Sequence, residues 1–251
     1  MTHSLGVHGL ARRIYQATAG RKAAASNRSL REFYSGLIQP GSLVFDIGAN
    51  NGVYASICAS LGAHVLALEP NADCVRHIEL SYGNKSIDVI QAVAGPKDGL
   101  AVLNLSDTRD DVSSVSEDWI NAIKAEHVEY KSLWNRKIRL PMLRLDTLIE
   151  HFGLPAYIKI DVEGFEEKVL DGLSSCPRLL SFEYNLAFLD AAFRCLDKDL
   201  FSGQVCFNLV IGNSAQFYLG QWIESRDQLK QIVARLGRGD SYGDIFAKSA
   251  E

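Results

Sequence analysis

Four acidic residues each stand at or next to the end of a short apolar run that has the length and composition of a buried parallel strand. These acids are Asp46, Glu69, Asp161 and Glu183. In a parallel sheet covered by helices, ligands bind where the carboxyl ends of the strands meet. Four carboxylates at that edge would form an electronegative crevice. Such a crevice suits a ligand with cationic groups and repels a pyrophosphate.

The first of these acids opens a glycine-containing turn, DIGANNG, over residues 46–52. Glycine at position 48 lets the backbone turn sharply and approach a ligand closely, but Asn50 stands where the dinucleotide-binding motif has its second glycine. Glu69 follows Gly48 by 21 residues, a spacing at which an acid accepts hydrogen bonds from ribose hydroxyls. The pattern predicts an adenosine without phosphate, joined to a cationic group, and S-adenosylmethionine fits that description. We predict that Asp46, Gly48, Asn50, Gly52 and Glu69 bind it.

A second cluster, KIDVEGFE, covers residues 159–166. By strand periodicity, Lys159, Asp161 and Glu163 share one face. If the two strands are adjacent, Asp161 lies beside Asp46 and close to the reacting group of the ligand. We therefore predict that Asp161 contributes both to cofactor binding and to catalysis.

The other charges of this cluster have structural alternatives. A lysine is unusual in a central parallel strand, and a buried Lys159 needs a partner, for which Asp146 and Glu183 are candidates. Glu163 and Glu166 could act only by stabilising the first turn of the following helix. The sequence leaves both interpretations open.

Apolar runs alternate with helix-like stretches through most of the chain, as in βαβ units. The predicted strands are 43–45, 64–68, 87–93, 156–160 and 179–182, and the predicted helices between them are 53–61, 72–82, 165–173 and 190–200. Near the C-terminus, residues 206–211 and 216–219 are predicted to pair as an antiparallel hairpin. The fold class is therefore α/β, with a mostly parallel sheet.

One region interrupts the alternation. Residues 106–140 are polar and serine-rich, with Trp119 and Trp134 among them, and a connection of this length is usually functional. We interpret it as an insertion or cap over the site. The predicted organisation is an N-terminal helical extension over residues 1–40 and one enzymatic domain over residues 41–251.

Composition excludes several classes of protein. The 251 residues carry a formal net charge of −4, which disfavours a nucleic-acid binder that neutralises phosphates. No apolar run is long enough to span a bilayer, so no transmembrane segment is expected. The five cysteines show no Cys-x-x-Cys spacing, which indicates reduced thiols, a cytoplasmic location and no metal site. A homo-oligomer is left open.

The motifs resemble those of the FkbM-family methyltransferases, in the order that this family shows. The similarity rests on DIGANNG over residues 46–52, EPN over 69–71, LDTL over 145–148, KIDVEGFE over 159–166 and GDIFA over 243–247. It covers about residues 41–247. The resemblance implies a Rossmann-like methyltransferase fold with a mostly parallel seven-stranded sheet, helices on both faces and an antiparallel C-terminal hairpin.

The same resemblance implies S-adenosylmethionine as methyl donor and O-methylation of a small molecule, natural product or sugar. It carries cofactor binding over to Asp46, Gly48, Asn50 and Glu69, puts Asp161 at the floor of the site, and puts Val93 and Ala94 near the adenine. The sequence departs from the family after Glu183, where Tyr184-Asn185 stands in a position in which histidine is frequent. This departure leaves the catalytic base open.

Methyl transfer to an alcohol requires alignment of the acceptor and a base that removes its proton. The candidates for the base are Asp161, Glu163 and Glu183, with His127 of the insertion as a weaker one. Three other classes compete with this hypothesis: a nicotinamide-dependent oxidoreductase, a nucleic-acid base methyltransferase and a non-catalytic module that binds adenosyl ligands. The missing second glycine argues against the first, and the sequence after Ile160 lacks the motif typical of the second.

Overall fold

The computed structural model describes residues 27–83, 86–106, 113–126, 133–236 and 242–249. Seven strands form its main sheet: β1 (Leu43–Ile47), β2 (His64–Leu68), β3 (Ile87–Ile90), β7 (Tyr157–Ile160), β8 (Leu179–Asn185), β9 (Val205–Ile211) and β10 (Tyr242–Ser249). Their order across the sheet is β3-β2-β1-β7-β8-β10-β9. The first five strands in this order run parallel, and β10 is antiparallel to both of its neighbours. The predicted α/β, Rossmann-like fold is confirmed.

Eight helices of the described chain surround the strands. They are α1 (residues 27–35), α2 (Val53–Ser60), α3 (Ala72–Tyr82), α4 (Glu117–Glu126), α5 (Leu145–Phe152), α6 (Glu166–Leu170), α7 (Leu189–Leu196) and α8 (Arg226–Val233). One face of the main sheet packs against α1, α2 and α3, and the other face packs against α5, α6, α7 and α8. Each face buries its own apolar cluster, which explains why the parallel strands read as continuous apolar runs. No helix among the described residues is long and apolar enough to cross a bilayer.

A second, three-stranded sheet lies beside the site. It contains β4 (Val93–Ala94), β5 (Gly99–Leu105) and β6 (Arg136–Leu143), in the order β4-β6-β5. The predicted third strand, 87–93, is therefore divided, because β3 ends at Ile90 and Val93 pairs with Met142 of β6. Alternation of apolar residues along the chain carries no information about this change of partner.

The predicted hairpin between residues 206–211 and 216–219 is wrong in its second strand. β9 instead pairs with β10, and β10 inserts between β9 and β8. The physical reason is burial: Ile245 and Phe246 of β10 are fully buried on opposite faces of the sheet. A short apolar run can bury both faces only in the interior of a sheet.

The N-terminal and middle segments were predicted to be an extension and an insertion. Within the described part, α1 packs Leu30 and Tyr34 against the main sheet, together with Ile38. The described parts of residues 106–140 contain α4 and the start of β6. The proposed domain boundaries at residues 40 and 106–140 stay predictions, and residues 1–26 lie outside the described chain.

Candidate functional site

A pocket opens at the carboxyl ends of β1, β2 and β7, between the main sheet and residues 113–115. Six of the predicted cofactor-binding residues line it: Gly48, Asn50, Glu69, Val93, Ala94 and Asp161. Apolar side chains from Leu68 and Ala92 complete the wall beside Glu69. The pocket therefore offers an apolar surface next to a carboxylate at the end of the second strand.

Glu69 is buried and held in a fixed orientation by the backbone. Its two carboxylate oxygens each accept one backbone N–H, from Asn50 and from Asn71, at 2.7 Å. The Asn71 side chain in turn caps the start of α3 by accepting the N–H of Asp73. A carboxylate fixed in this way presents its oxygens to hydroxyl donors of a ligand in a defined orientation.

Gly48 lies where the turn after β1 crosses β7. Its φ is +84°, which favours glycine. A Cβ at this position would lie 1.8 Å from the backbone oxygen of Asp161. The glycine is therefore required by the approach of two backbones as well as by the conformation.

Two predicted residues do not line this pocket. Asp46 lies beneath it with only 2 % of its surface exposed. Neither Asp46 carboxylate oxygen has a hydrogen-bond partner among the described residues. Gly52 precedes α2 with φ +73°, and a Cβ there would lie 2.8 Å from the side chain of Ile78 on α3. Gly52 therefore lets α2 and α3 pack closely, and its part in cofactor binding stays a prediction.

Lys159 occupies the same buried layer as Asp46. Its ammonium lies 2.6 Å from the Asp161 carboxylate and 4.5 Å from the ring centroid of Tyr54, and 3 % of the lysine side chain is exposed. The predicted partners Asp146 and Glu183 are wrong, because Asp161 shares the strand face of Lys159 and is its direct ion pair. Burial alone lowers the pKa of Lys159, but nearby carboxylates outweigh burial and raise it well above its usual value.

Asp244 was missed as a member of this layer. It lies on β10, and its charge contributes to the raised pKa of Lys159. Burial raises the pKa of Asp46 to about 6 and that of Asp244 to about 6, although Lys159 opposes both shifts. The only sequence signal for Asp244 was its place in the motif GDIFA. Nothing in the spacing along the chain linked it to Lys159.

Lowering the pH from 8 to 5 is expected to stabilise the unliganded protein. The native pKa values of Asp46 and Asp244 are about 6, and that of Glu166 is about 7 because of burial. The native state therefore binds more protons than the unfolded state. Each raised carboxyl costs stability above its native pKa, and the cost disappears as the pH falls towards the unfolded pKa near 4. At roughly 1.4 kcal/mol per pKa unit, each contributes at most about 3–3.5 kcal/mol.

The measurement is the melting temperature of the protein at constant ionic strength between pH 8 and pH 5. Asp46→Asn is the control and should reduce the dependence on pH. A melting temperature that falls over this range would contradict the prediction.

The three predicted catalytic acids come together. Carboxylate oxygens of Asp161, Glu163 and Glu183 lie within 4.8 Å of one another. Burial and then the charges of Asp161 and Glu163 raise the pKa of Glu183 well above its usual value. Oxygen ligands at this separation could share a divalent cation. The absence of a metal site, as read from the sequence, stays a prediction. His127 lies outside the described residues.

A second, narrower cleft begins on the far side of this acid group. Glu163 lines the first pocket, and the next residue, Gly164, lines the second cleft together with Glu183. Trp119 and Phe188 line this cleft and contact each other, with ring centroids 6.5 Å apart. Glu183, whose pKa is raised, therefore lies between the first pocket, which contains Glu69, and the aromatic cleft.

Comparison with protein families identifies a methyltransferase domain in the chain. The sequence model described as "Methyltransferase FkbM domain" matches residues 46–198, which is more than half of the chain. No curated protein sequence matches significantly.

Several solved structures are similar to the chain at low identity. The precorrin-6y C5,15-methyltransferase from Geobacter metallireducens GS-15 shows 13% identity and a TM-score of 0.43, over 90% of this chain and 87% of that one. A TehB-like SAM-dependent methyltransferase from Corynebacterium glutamicum shows 12% identity and a TM-score of 0.40, over 96% and 99%. The plantazolicin methyltransferase BpumL, in complex with SAH, shows 10% identity and a TM-score of 0.44, over 95% and 90%.

Proposed function

The chain belongs to the FkbM family of methyltransferases, and from this premise we propose that it transfers the methyl group of S-adenosylmethionine to a hydroxyl group of a small molecule, natural product or sugar. The observation that carries the choice of a hydroxyl is the position of Glu183. This carboxyl of raised pKa lies within 4.8 Å of Asp161 and Glu163, at the boundary between the pocket and the aromatic cleft.

The first pocket fits S-adenosylmethionine by its chemistry. The oriented carboxylate of Glu69 suits two ribose hydroxyls, and the apolar wall that includes Val93 and Ala94 suits an adenine. Gly48 lines this pocket, and the lack of a side chain there lets the turn pack against the backbone of Asp161. Asp161, at the edge of the pocket, supplies negative charge for a cationic sulfur. Asp46 would act from below the pocket, through its electrostatic interaction with Lys159.

When bound, S-adenosylmethionine supplies an electrophilic methyl group on a sulfonium. Glu183 accepts the proton of the acceptor hydroxyl as the new C–O bond forms and the C–S bond breaks. Asp161 is fixed by Lys159 and keeps its carboxylate in one orientation. Trp119 and Phe188 pack beside Glu183 and shield its carboxyl from water. Alignment of the acceptor hydroxyl with Glu183 can contribute several kcal/mol.

The acidic surroundings also bear on the class of acceptor. A nucleic acid would bring phosphates towards three carboxylates, and the resulting repulsion disfavours it. The same carboxyls suit an uncharged acceptor that carries hydroxyls. We therefore expect small polyols and phenols to be accepted, and phosphorylated analogues to be rejected.

Calorimetric titration with S-adenosylmethionine, S-adenosylhomocysteine and NAD tests the cofactor site. We expect the adenosyl ligands to bind with a Kd of roughly micromolar order, and NAD not to bind. Glu69→Ala should weaken adenosyl binding by about 10–100-fold, because hydrogen bonds to a charged group contribute roughly 1.5–3 kcal/mol. Glu79→Ala, on the exposed surface of α3, is the matched control and should leave binding unchanged.

The site of methylation is tested with a trideuteromethyl donor. A panel of hydroxyl compounds and their amino analogues is incubated with the enzyme, and products are located by mass spectrometry. Label on oxygen is the expected result. Label only on nitrogen or carbon would overturn the proposal of O-methylation, and adenosyl binding without turnover on any acceptor would favour a non-catalytic module.

A further inference from the structure

Glu166 turns back from the start of α6 onto the residues that precede it. One of its carboxylate oxygens accepts the backbone N–H of Val162 at 3.0 Å and that of Gly164 at 3.3 Å. Only 7 % of the residue is exposed. These two amides lie on either side of Glu163 in the chain. A single buried oxygen of Glu166 therefore fixes the backbone before and after Glu163, whose carboxylate lies beside Asp161 and Glu183.

The backbone at Glu163 needs such support. Its φ is +55°, in the left-handed region that side chains other than glycine rarely occupy, and the following Gly164 has φ +85°. A strained conformation of this kind persists only where surrounding contacts enforce it. The turn over residues 162–164 therefore depends on its hydrogen bonds more than an ordinary turn does.

A second contact holds the same turn from the opposite side. The Ser114 hydroxyl donates to the backbone oxygen of Glu163 at 2.7 Å, and Ser114 is itself bridged to Asn104 of β5. The ring of Trp119 packs so closely on Gly164 that an added Cβ would lie 2.3 Å from it. Glu163 is thus clamped between α6 and the segment 113–119.

We propose that Glu166 is a positioning residue for methyl transfer: it holds the turn over residues 162–164 so that the Glu163 carboxylate stays beside Asp161 and Glu183 at the edge of the cofactor pocket. The proposal rests on the proposed function for its consequence in catalysis. Its structural part concerns the turn alone and can be tested in the free protein.

The competing explanation is that Glu166 only favours the start of a helix through its charge. Glu167 provides the comparison, because it lies in the same first turn but forms an ion pair with Arg194 at 2.7 Å near the surface. If charge at the start of α6 were the whole effect, removing the charge of either residue would have a similar result. If the hydrogen bonds to the Glu166 oxygen hold the turn, only substitutions that leave no acceptor oxygen within reach of the Val162 and Gly164 amides will affect it.

Two conservative variants separate these explanations. Glu166→Gln keeps an acceptor oxygen at the same distance from the backbone and removes the charge. Burial raises the pKa of Glu166 to about 7, so the site already tolerates an uncharged side chain. Glu166→Asp keeps the charge but shortens the side chain by one methylene, so that its oxygens no longer reach both amides.

The first measurement is amide hydrogen exchange in the free protein, followed by NMR at Val162 and Gly164. We expect Glu166→Asp to speed exchange of both amides at least tenfold, and Glu166→Gln and Glu167→Gln to stay within about threefold of wild type. Equal protection in all variants would overturn the proposal. Faster exchange in Glu166→Gln than in Glu166→Asp would also overturn it, because charge rather than reach would then be responsible.

The second measurement is calorimetry with S-adenosylhomocysteine, since the turn lines the pocket. Glu166→Asp should weaken binding about tenfold, and Glu166→Gln should not. If wild type fails to bind the ligand, the proposed function fails, while the exchange data still decide whether Glu166 holds the turn. If wild type binds and Glu166→Asp binds equally well, the positioning role fails and the proposed function stands.

Discussion

Replacement of Glu183 by glutamine is expected to lower kcat/KM for methyl transfer by roughly 10²–10⁴-fold, the contribution typical of a general base. The pKa of Glu183 is raised well above its usual value by burial and nearby carboxylates, and of the three clustered acids Glu183 is the one that lines the aromatic cleft. The Asp161 carboxylate forms an ion pair with the Lys159 ammonium at 2.6 Å. A raised pKa makes a carboxylate a stronger base towards the acceptor hydroxyl, which favours Glu183.

The measurement is the rate of S-adenosylhomocysteine release with a hydroxyl acceptor from the labelled panel. Affinity for S-adenosylhomocysteine should stay within about threefold of wild type, because Glu183 does not line the cofactor pocket. The pH profile gives a second test. In wild type, kcat/KM should rise with pH through a pKa above that of an ordinary carboxyl, and this limb should disappear in Glu183→Gln.

Asp161→Asn and Glu163→Gln distinguish Glu183 from its neighbours. Asp161→Asn should weaken binding of the sulfonium donor more than binding of the neutral product, because it removes negative charge from the pocket edge. Glu163→Gln should leave the pH profile in place. If Glu183→Gln retains a third or more of the activity while Glu163→Gln abolishes it, the base is Glu163 and the assignment is wrong.

The sequence could predict the parallel part of the fold because that information is local. Each strand from β1 to β8 in the main sheet, with the exception of the end of β3, follows from an apolar run between helix-like stretches. The place of β10 could not be predicted in this way. Its residues pair with β8 and β9, and only the burial of both its faces explains its position between them. That burial is a property of the assembled sheet.

In the candidate site, too, the residues whose places follow from local sequence could be predicted, and those whose contacts come from distant strands could not. Gly48 and Glu69 could be located from the sequence, because a turn and a strand end fix their places relative to each other. Lys159 was recognised as unusual, yet its environment was not predicted, since Asp46 and Asp244 approach it from strands far apart in sequence. For Glu166 the sequence left a helix-start role and a functional role open, because its bonds to Val162 and Gly164 depend on a left-handed residue between them.

Gly48→Ala is expected to be the most destabilising single substitution in the cofactor turn. The new Cβ would lie 1.8 Å from the backbone oxygen of Asp161, and a backbone oxygen cannot move aside as a side chain does. Relief requires β1 and β7 to separate where Asp161 N–H donates to the Ile47 oxygen at 2.9 Å. We expect a loss of more than about 4 kcal/mol in the free energy of unfolding, which is exceptional for one substitution.

Gly41→Ala is the matched control for this prediction, because Gly41 has φ +81° and nothing within 4 Å of an added Cβ. The two glycines share a backbone conformation and differ in the space around them. Gly41→Ala should therefore cost only about 1 kcal/mol, the penalty for a left-handed alanine, and should leave S-adenosylhomocysteine binding unchanged. Urea unfolding of both variants measures the difference. If the two losses are equal, conformation alone explains the glycine at position 48, and the contact between the turn and β7 does not shape the pocket.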